Sequence, residues 1–384
     1  MKAVVIGAGM GGMTAGIALQ RSGWDVVAYE QVRENKPVGA ALTLWPNAVK
    51  VLNYLGLGAR IAELGGQLDS MSYRWMDGRT MCEFSLEPLT TQAGQRPYPV
   101  ARADLQSMLM EAFGLGNINF GMKMVGVDST DDQATVSFAD GSTVSADLVV
   151  AADGARSVAR RFVTGQTLER LYSGYVNYNT LVPIDESVGP ATQWTTYVGE
   201  GKRVSVMPVA DGRFYTFFDV PGPIGESIEP GTAPEVLRSH FGHWGQPVVT
   251  LLDQLDPATV NRVEVLYIDP FHTWTKGRVV LVGDAAHNTT PDIGQGGGSA
   301  MEDAVVLSRM LATNTLGIPD ALRRYAEARS PRAGELVDRA TRRSEVTHAK
   351  DPATTEAWYQ ELWSEDGDRV IKGILANVLG NPLG

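Results

Sequence analysis

The sequence predicts an α/β protein in which a parallel-sheet domain is interrupted by an inserted antiparallel β-sheet and followed by C-terminal helices. Three observations carry that prediction. A short apolar run, a glycine-rich turn and a helical pattern follow one another twice, as KAVVIGAGMGGMTAGIAL from residue 2 and as RVVLVGDAAHNTTPDIGQGGGSAMEDAVVL from residue 278. Between them, residues 171–267 switch to alternating, aromatic-rich segments separated by Pro and Gly clusters. At residue 278 the pattern returns to a buried strand, and residues 300–345 read as helix.

Each element has its own signal. Residues 2–6 form an apolar strand, 11–22 a helix and 25–29 a second strand ending in Glu30, which is a βαβ opening. NAVKVLNYLGLGARIAELG spaces Val49, Leu52 and Leu55, then Ile61 and Leu64, as helices do, with Gly56 and Gly58 interrupting. RADLQSMLMEAF puts Leu105, Met108, Leu109 and Phe113 on one helical face. In ATVSFADGSTVSADLVVAADG, Ala139-Asp140-Gly141 is a hairpin turn and DLVVAADG a buried strand. The expected partition is 1–70, 100–170 and 268–345 for the parallel domain, with 71–99 and 171–267 for the inserted sheet. Residues 346–384, with the aromatic spacing of TEAWYQELW, form a C-terminal docking region.

Composition narrows the function. With 384 residues, 43% hydrophobic and 20% charged, the chain fits a globular protein of two domains or one large interrupted domain. A net charge of -11 argues against a nucleic-acid partner. It leaves room for an anionic small substrate, because one buried Arg can set the local potential. Cys82 is the only cysteine, so neither an intramolecular disulfide nor a cysteine metal cage can form, and a reducing, cytoplasmic setting is expected. The first apolar run is broken by glycines and soon followed by the charged QVRENK, so neither a membrane span nor a leader is expected. His240 and His243 form an HxxH without a nearby glutamate, and no metal site is expected.

The turns carry the cofactor chemistry. Gly7-x-Gly9-x-x-Gly12, with Gly11 in the same turn, sits between strand and helix. Gly7 permits the tight turn, Gly9 lets the backbone approach a pyrophosphate, and Gly12 allows close helix–strand packing. Glu30, 18 residues beyond Gly12 and followed by Gln31, can accept from ribose hydroxyls and would repel a 2'-phosphate. FAD or NAD is therefore expected rather than NADP. The second stretch lacks an acidic ribose reader at that spacing. It places Asp284 at a strand end and Gly294-Gln295-Gly296-Gly297-Gly298 before a helix starting near Ser299. Asp284 could accept from a ribityl hydroxyl, and N–H groups of the glycine run could face the O2/N1 edge of a flavin. One cofactor gripped by two helix N-termini favours FAD. A third segment, DLVVAADGARSVAR, gives Asp153-Gly154 after a strand with Arg156, Arg160 and Arg161 beyond; a plain hairpin turn with a solvated basic helix start remains open for it.

In this order, the GxGxxG at 7–12, Asp153-Gly154 and Gly283-Asp284 resemble the three fingerprints of the flavoprotein aromatic hydroxylases, the single-component FAD monooxygenases. The resemblance implies a Rossmann-like FAD-binding domain interrupted by a substrate domain, with Thr43, Arg102 and Met124 among the FAD contacts. It also implies that Asp153-Gly154 touches both FAD and a transient nicotinamide. Longer strings, among them KPVGAALTLWPNAVK, SGYVNYNTLV, TQWTTYVGEGKRVSVMPV, RFYTFFDVP and TTPDIGQGG, are similar to the urate-hydroxylating branch of that family. That similarity implies urate, NADH and O2 as small-molecule partners in purine breakdown. It implies hydroxylation at C5 to 5-hydroxyisourate through a flavin C4a-hydroperoxide. It assigns Arg203 and Tyr215 to binding and activating urate, with Asn177 and the Gln295-Gly296 backbone completing the contacts.

The register of GKRVSVMPVADGRFYTFFDV tests this assignment. A three-residue Ala210-Asp211-Gly212 loop pairs Val209 with Arg213, and Arg203, Ser205, Met207, Tyr215 and Phe217 then share a face. A two-residue Asp-Gly loop would throw Tyr215 to the face opposite Arg203. On a shared face, an Arg fork fits the edge carbonyls of a planar anion bidentately. Thr290 and Pro291 are expected to wall the flavin, and His287 to be a loop hydrogen-bonder rather than a base. LRRYAEARSPRAGELVDRATRR reads as an Arg-rich helix pair with a solvated face. Two other functions are weighed: the same chemistry on a phenolic acid such as a hydroxybenzoate, favoured if Arg203 is out of reach of the ring, and a flavin-binding sensor without turnover.

Overall fold

The computed structural model describes residues 1–34, 40–313 and 315–384; residues 36–39, which open KPVGAALTLWPNAVK, lie outside them. Six strands form one sheet, in the order Thr275–Lys276, Val279–Leu281, Leu148–Ala151, Lys2–Ile6, Asp25–Glu30, Ile118–Phe120. All neighbours pair in parallel except the short hairpin at 275–281. Ala3, Val4 and Val5 are fully buried, as a strand covered on both faces requires. The chain leaves Lys2–Ile6 first toward Asp25–Glu30 and later returns on its other side at Leu148–Ala151. The carboxyl end of the first strand is thus a topological switch point, where open α/β sheets place their ligands. The turns at Gly7, Ala152-Asp153 and Gly283 all lie at this edge.

Helices Met10–Arg21 and Gly296–Thr313 start one to three residues earlier than their patterns predict, directly at the glycine turns. Asp284 does not end a strand. The strand stops at Leu281, and Asp284 sits in the first turn of a four-residue helix, Asp284–His287.

The insertion is a seven-stranded sheet in the order Asn261–Tyr267, Leu171–Pro183, Arg213–Pro221, Lys202–Val209, Gln193–Gly199, Ser70–Trp75, Thr80–Ser85. One pairing departs from antiparallel: Ser70–Trp75 runs parallel to Gln193–Gly199, because the two strands belong to separate passages of the chain. One face buries Val204, Val206, Phe214 and Phe218 with Leu237 and Phe241 of helix Ala233–Phe241 and Leu251 of helix Gln246–Asp253. The other face carries the polar residues and looks toward the parallel domain.

The Arg-rich stretch corrects its expectation twice. It is one helix, Ile318–Thr347, running through Pro331, and Arg329 is buried rather than solvated. Burial of Arg329, Ser330, Ala333 and Gly334 on both sides of the proline holds the helix together against the lost N–H. Helix Pro352–Leu362 then docks Trp358 and Tyr359 edge-on against Tyr73 and Trp75. Among the described residues, no helix is long and apolar enough to cross a membrane.

Candidate active site

The glycines of the first turn differ in what surrounds them. Gly7 has φ +98°, and a Cβ there would stand 2.3 Å from the Ala152 carbonyl oxygen. A Cβ on Gly12 would stand 2.0 Å from the Gly7 oxygen, whereas one on Gly9 would meet nothing within 4 Å. The first two positions close the turn, and the third faces open space where a diphosphate can approach. Gly11 backs onto Ala300 of the second glycine-opened helix. Glu30 also shapes this turn. Its carboxylate accepts from the N–H of Ala8 at 2.7 Å and of Val32 at 3.0 Å, which fixes its own orientation as well. Gln31 is exposed beside it, and Met124 is buried at the start of strand Met124–Ser129.

Asp153 caps a helix. Its Oδ2 accepts from Val158 N at 2.7 Å and Ala159 N at 3.2 Å, while Oδ1 is buried without a partner among the described residues. The basic helix start is only partly solvated. Arg156 and Arg161 are exposed, but Arg160 is buried and donates to the carbonyls of Ala285 and Asp284, each at 2.8 Å. Arg160 thereby ties the Asp153-Gly154 turn to the Gly283-Asp284 turn.

A cavity of about 410 Å³ opens between the two sheets. Thr43, Arg102, Asp284, Gly294, Gly296 and Gly297 line one side of it, and Asn177, Arg203, Met207, Tyr215 and Phe217 the other. Thr290 and Pro291 are also in its wall. Asn288 Oδ1, Thr289 Oγ1 and Thr290 Oγ1 are buried there with no partner among the described residues, which marks a wall built for a polar occupant. Gln295 and Gly298 lie beneath it. Gln295 Oε1 accepts from Asn47 Nδ2 at 2.9 Å, so its side chain braces the glycine run from behind. Gly298 packs on Asn47 and Ala48.

On the substrate-sheet side, Asp211 and Gly212 take φ +61° and +64°, and Val209 pairs with Arg213, as the three-residue loop requires. Arg203, Ser205, Met207, Tyr215 and Phe217 therefore share the cavity face with Asp219, and Asn177 lies opposite Asp219 on the next strand. The fork of Arg203 is largely occupied. Nε donates to Asp219 at 2.7 Å, and Nη2 lies 2.6 Å from Asp219 Oδ2 and 3.3 Å from Asp292 Oδ1. The guanidinium sits 5.1 Å from the Phe217 ring. Only Nη1 has no partner among the described residues, so the expected bidentate grip on a ligand is corrected to a single donor. Asn177 Nδ2 also donates to Asp219, at 2.6 Å.

Electrostatics fixes the protonation of these groups. Burial opposes the charge of Arg203, but Asp219 and Asp292 outweigh it and hold the guanidinium ionised. Burial, then the Asp219 charge, pushes the Tyr215 phenol well up, so it stays neutral. Asp292, although burial works the other way, is held down at about 2 by His348 and Arg203.

A second cluster, not anticipated from the sequence, anchors both glycine loops. Asp303 Oδ2 accepts from Gly283 N at 2.9 Å and lies 2.7 Å from His287 Nε2, consistent with a loop-bonding histidine. Arg329 donates to Asp303 at 2.8 Å and to Glu302 at 2.6 Å. Arg332 Nε and Asn47 Nδ2 also donate to Glu302. The available signal was MEDAVVL, two acids inside a helix whose neighbours are all apolar. Asp219, Asp292 and His348 were likewise missed.

Comparison with known proteins agrees with this geometry. The sequence model of the family described as FAD binding domain matches residues 1–340. The chain is 59% identical over 388 residues to the FAD-dependent urate hydroxylase of Mycolicibacterium vanbaalenii, covering 100% of this chain and 98% of that one. It is 50% identical over 385 residues to the FAD-dependent urate hydroxylase of Klebsiella pneumoniae, covering all of both. The crystal structure of Klebsiella pneumoniae HpxO complexed with FAD and uric acid matches with a TM-score of 0.97 at 49% identity, over 100% of this chain and 98% of that one. By fold, by the order of its three turns and by this similarity along its whole length, the chain belongs to the FAD-dependent urate hydroxylases, within the FAD monooxygenases.

Proposed function

We propose that this chain binds FAD and hydroxylates urate at C5 to 5-hydroxyisourate, with NADH and O2 as co-substrates. The observation that carries the reading is a single cavity lined by Arg203, by Tyr215 with its neutral phenol, and by the glycine run at a helix N-terminus. The residues present fit FAD. The open face at Gly9 suits the diphosphate, Glu30 the adenosine ribose, and the exposed Asp284 carboxylate the ribityl chain. Backbone N–H groups at Gly296 and Gly297 suit the edge of the ring that gains negative charge. Bound and reduced, FAD supplies the activated oxygen; the protein supplies position, charge and dryness.

Arg203 Nη1 donates to a urate carbonyl, and its charge favours the urate anion, whose C5 is the better nucleophile. Tyr215 orients the ring as a neutral hydrogen-bonding group and is too weak an acid to act as a phenolate. Thr290 and Pro291 wall the site against water. A phenolic acid suits this pocket less well, because a carboxylate calls for the fork that Asp219 already fills.

The test is NADH consumption by FAD-loaded protein with and without urate, followed together with urate absorbance. Urate-stimulated NADH oxidation with about one urate lost per NADH is expected. NADH oxidation that leaves urate intact would assign the pocket to another substrate.

A further inference from the structure

Arg203 alone does not make the pocket attractive to an anion. Its single positive charge faces two buried carboxylates, Asp219 at 2.6 Å and Asp292 at 3.3 Å. Burial keeps the neighbouring phenols of Tyr175 and Tyr215 neutral, so these five groups together carry one net negative charge. The other charged lining residues, Arg102 and Arg170 with Asp284 and Glu264, add no net charge, so a urate anion entering beside this cluster would be repelled in a medium that screens poorly.

One further titratable group reaches the cluster. His348 is buried, with Nε2 3.3 Å from Asp292 Oδ1 and 3.9 Å from Asp219 Oδ2. Its ring stacks on Tyr175 at 3.8 Å, and Tyr175 in turn donates to Asp292 at 2.8 Å. The contact with Asp292 is the shorter of the two and, against the effect of burial, helps hold that carboxylate down. His348 is also the C-cap of helix Ile318–Thr347, where the carbonyl end of the dipole favours a cation. The groups facing it are Asp292, Asp219, Tyr175 and, across the carboxylates, Arg203. Lys350 and Glu345 on its own segment pair with each other at the surface.

We infer that His348 is a positioning residue for the urate reaction: as an imidazolium it matches the second carboxylate and frees the charge of Arg203 for an anionic substrate. The inference rests on the urate reading above.

The experiment compares wild type, His348→Gln and the double variant His348→Gln/Asp292→Asn. It measures urate KM, kcat and urate consumed per NADH for each at one pH. His348→Gln should raise urate KM about tenfold while kcat changes little, and the double variant should return KM to within about threefold of wild type by removing the unmatched carboxylate. Wild-type behaviour of His348→Gln, or additive losses in the double variant, would overturn the inference in favour of a packing role. Should His348→Gln fail to fold, Asp292→Asn alone decides: a KM within about threefold of wild type is expected, and a rise of about tenfold or more overturns the inference. Wild-type protein that shows no urate-stimulated turnover sinks the urate reading itself, and this inference with it.

Discussion

Arg203 is held where a guanidinium would not sit unaided, buried against Phe217 and gripped by Asp219 through Nε and Nη2. Lysine can keep the charge, but its three donors sit on one nitrogen, which cannot occupy both the place beside Asp219 and that of Nη1. Arg203→Lys should therefore fold, reduce its flavin with NADH, and show a urate KM raised about tenfold or more with most NADH oxidation uncoupled. Steady-state kinetics with a peroxide assay reads both. The convergence of Arg203 and Tyr215 was legible because strand period and loop length are local quantities, and three loop residues suffice to set them. Asp219 and Asp292 were illegible for the converse reason. An Asp in FFDVP or TTPDIG reads as an edge or turn residue until the fold brings it against an arginine from another strand.

At the scale of elements, the first turn separates structure from binding. Gly12→Ala places a methyl 2.0 Å from the Gly7 carbonyl and should prevent the strand–helix packing, giving insoluble protein. Gly9→Ala meets no protein atom and should leave circular dichroism and the urea midpoint of apoprotein unchanged while FAD retention is lost. Equal solubility of the two variants would contradict this division. The helix pair Gly296–Thr313 and Ile318–Thr347 is locked by Arg329 on Glu302 and Asp303. Arg329→Met leaves two buried carboxylates short of a partner and should cost about 3–5 kcal/mol in urea unfolding. Sequence periodicity read residues 300–345 as helical, yet it divided the Arg-rich stretch into a pair and took its arginines as solvated. Nothing in a charge pattern tells a surface arginine from one aimed at acids 26 residues upstream, which is the separation of Arg329 from Asp303.

For the whole molecule, one buried charge cluster, Arg203 with Asp219 and Asp292, ties the inserted sheet to the parallel domain and makes stability depend on pH. Asp292 is held at about 2, against about 3.9 in an unfolded chain. Its stabilisation is complete above about pH 4 and is lost as pH falls through about 2, an amount on the order of 2 kcal/mol. Wild type should therefore lose more of its urea midpoint between about pH 5 and about pH 3 than Asp292→Asn does; equal slopes would refute the assignment. The order of the parallel sheet bears on how the protein is made. Its first strand leaves the ribosome long before its outer neighbours, which close only with Val279–Leu281, and the glycine run is clamped only once Arg329 exists. The inserted sheet, complete at Tyr267, can form while the domain it interrupts is still half built. A nascent chain therefore carries its phosphate turn through most of translation without a finished pocket, and the flavin is expected to load only after the helix that bears Arg329 has been made.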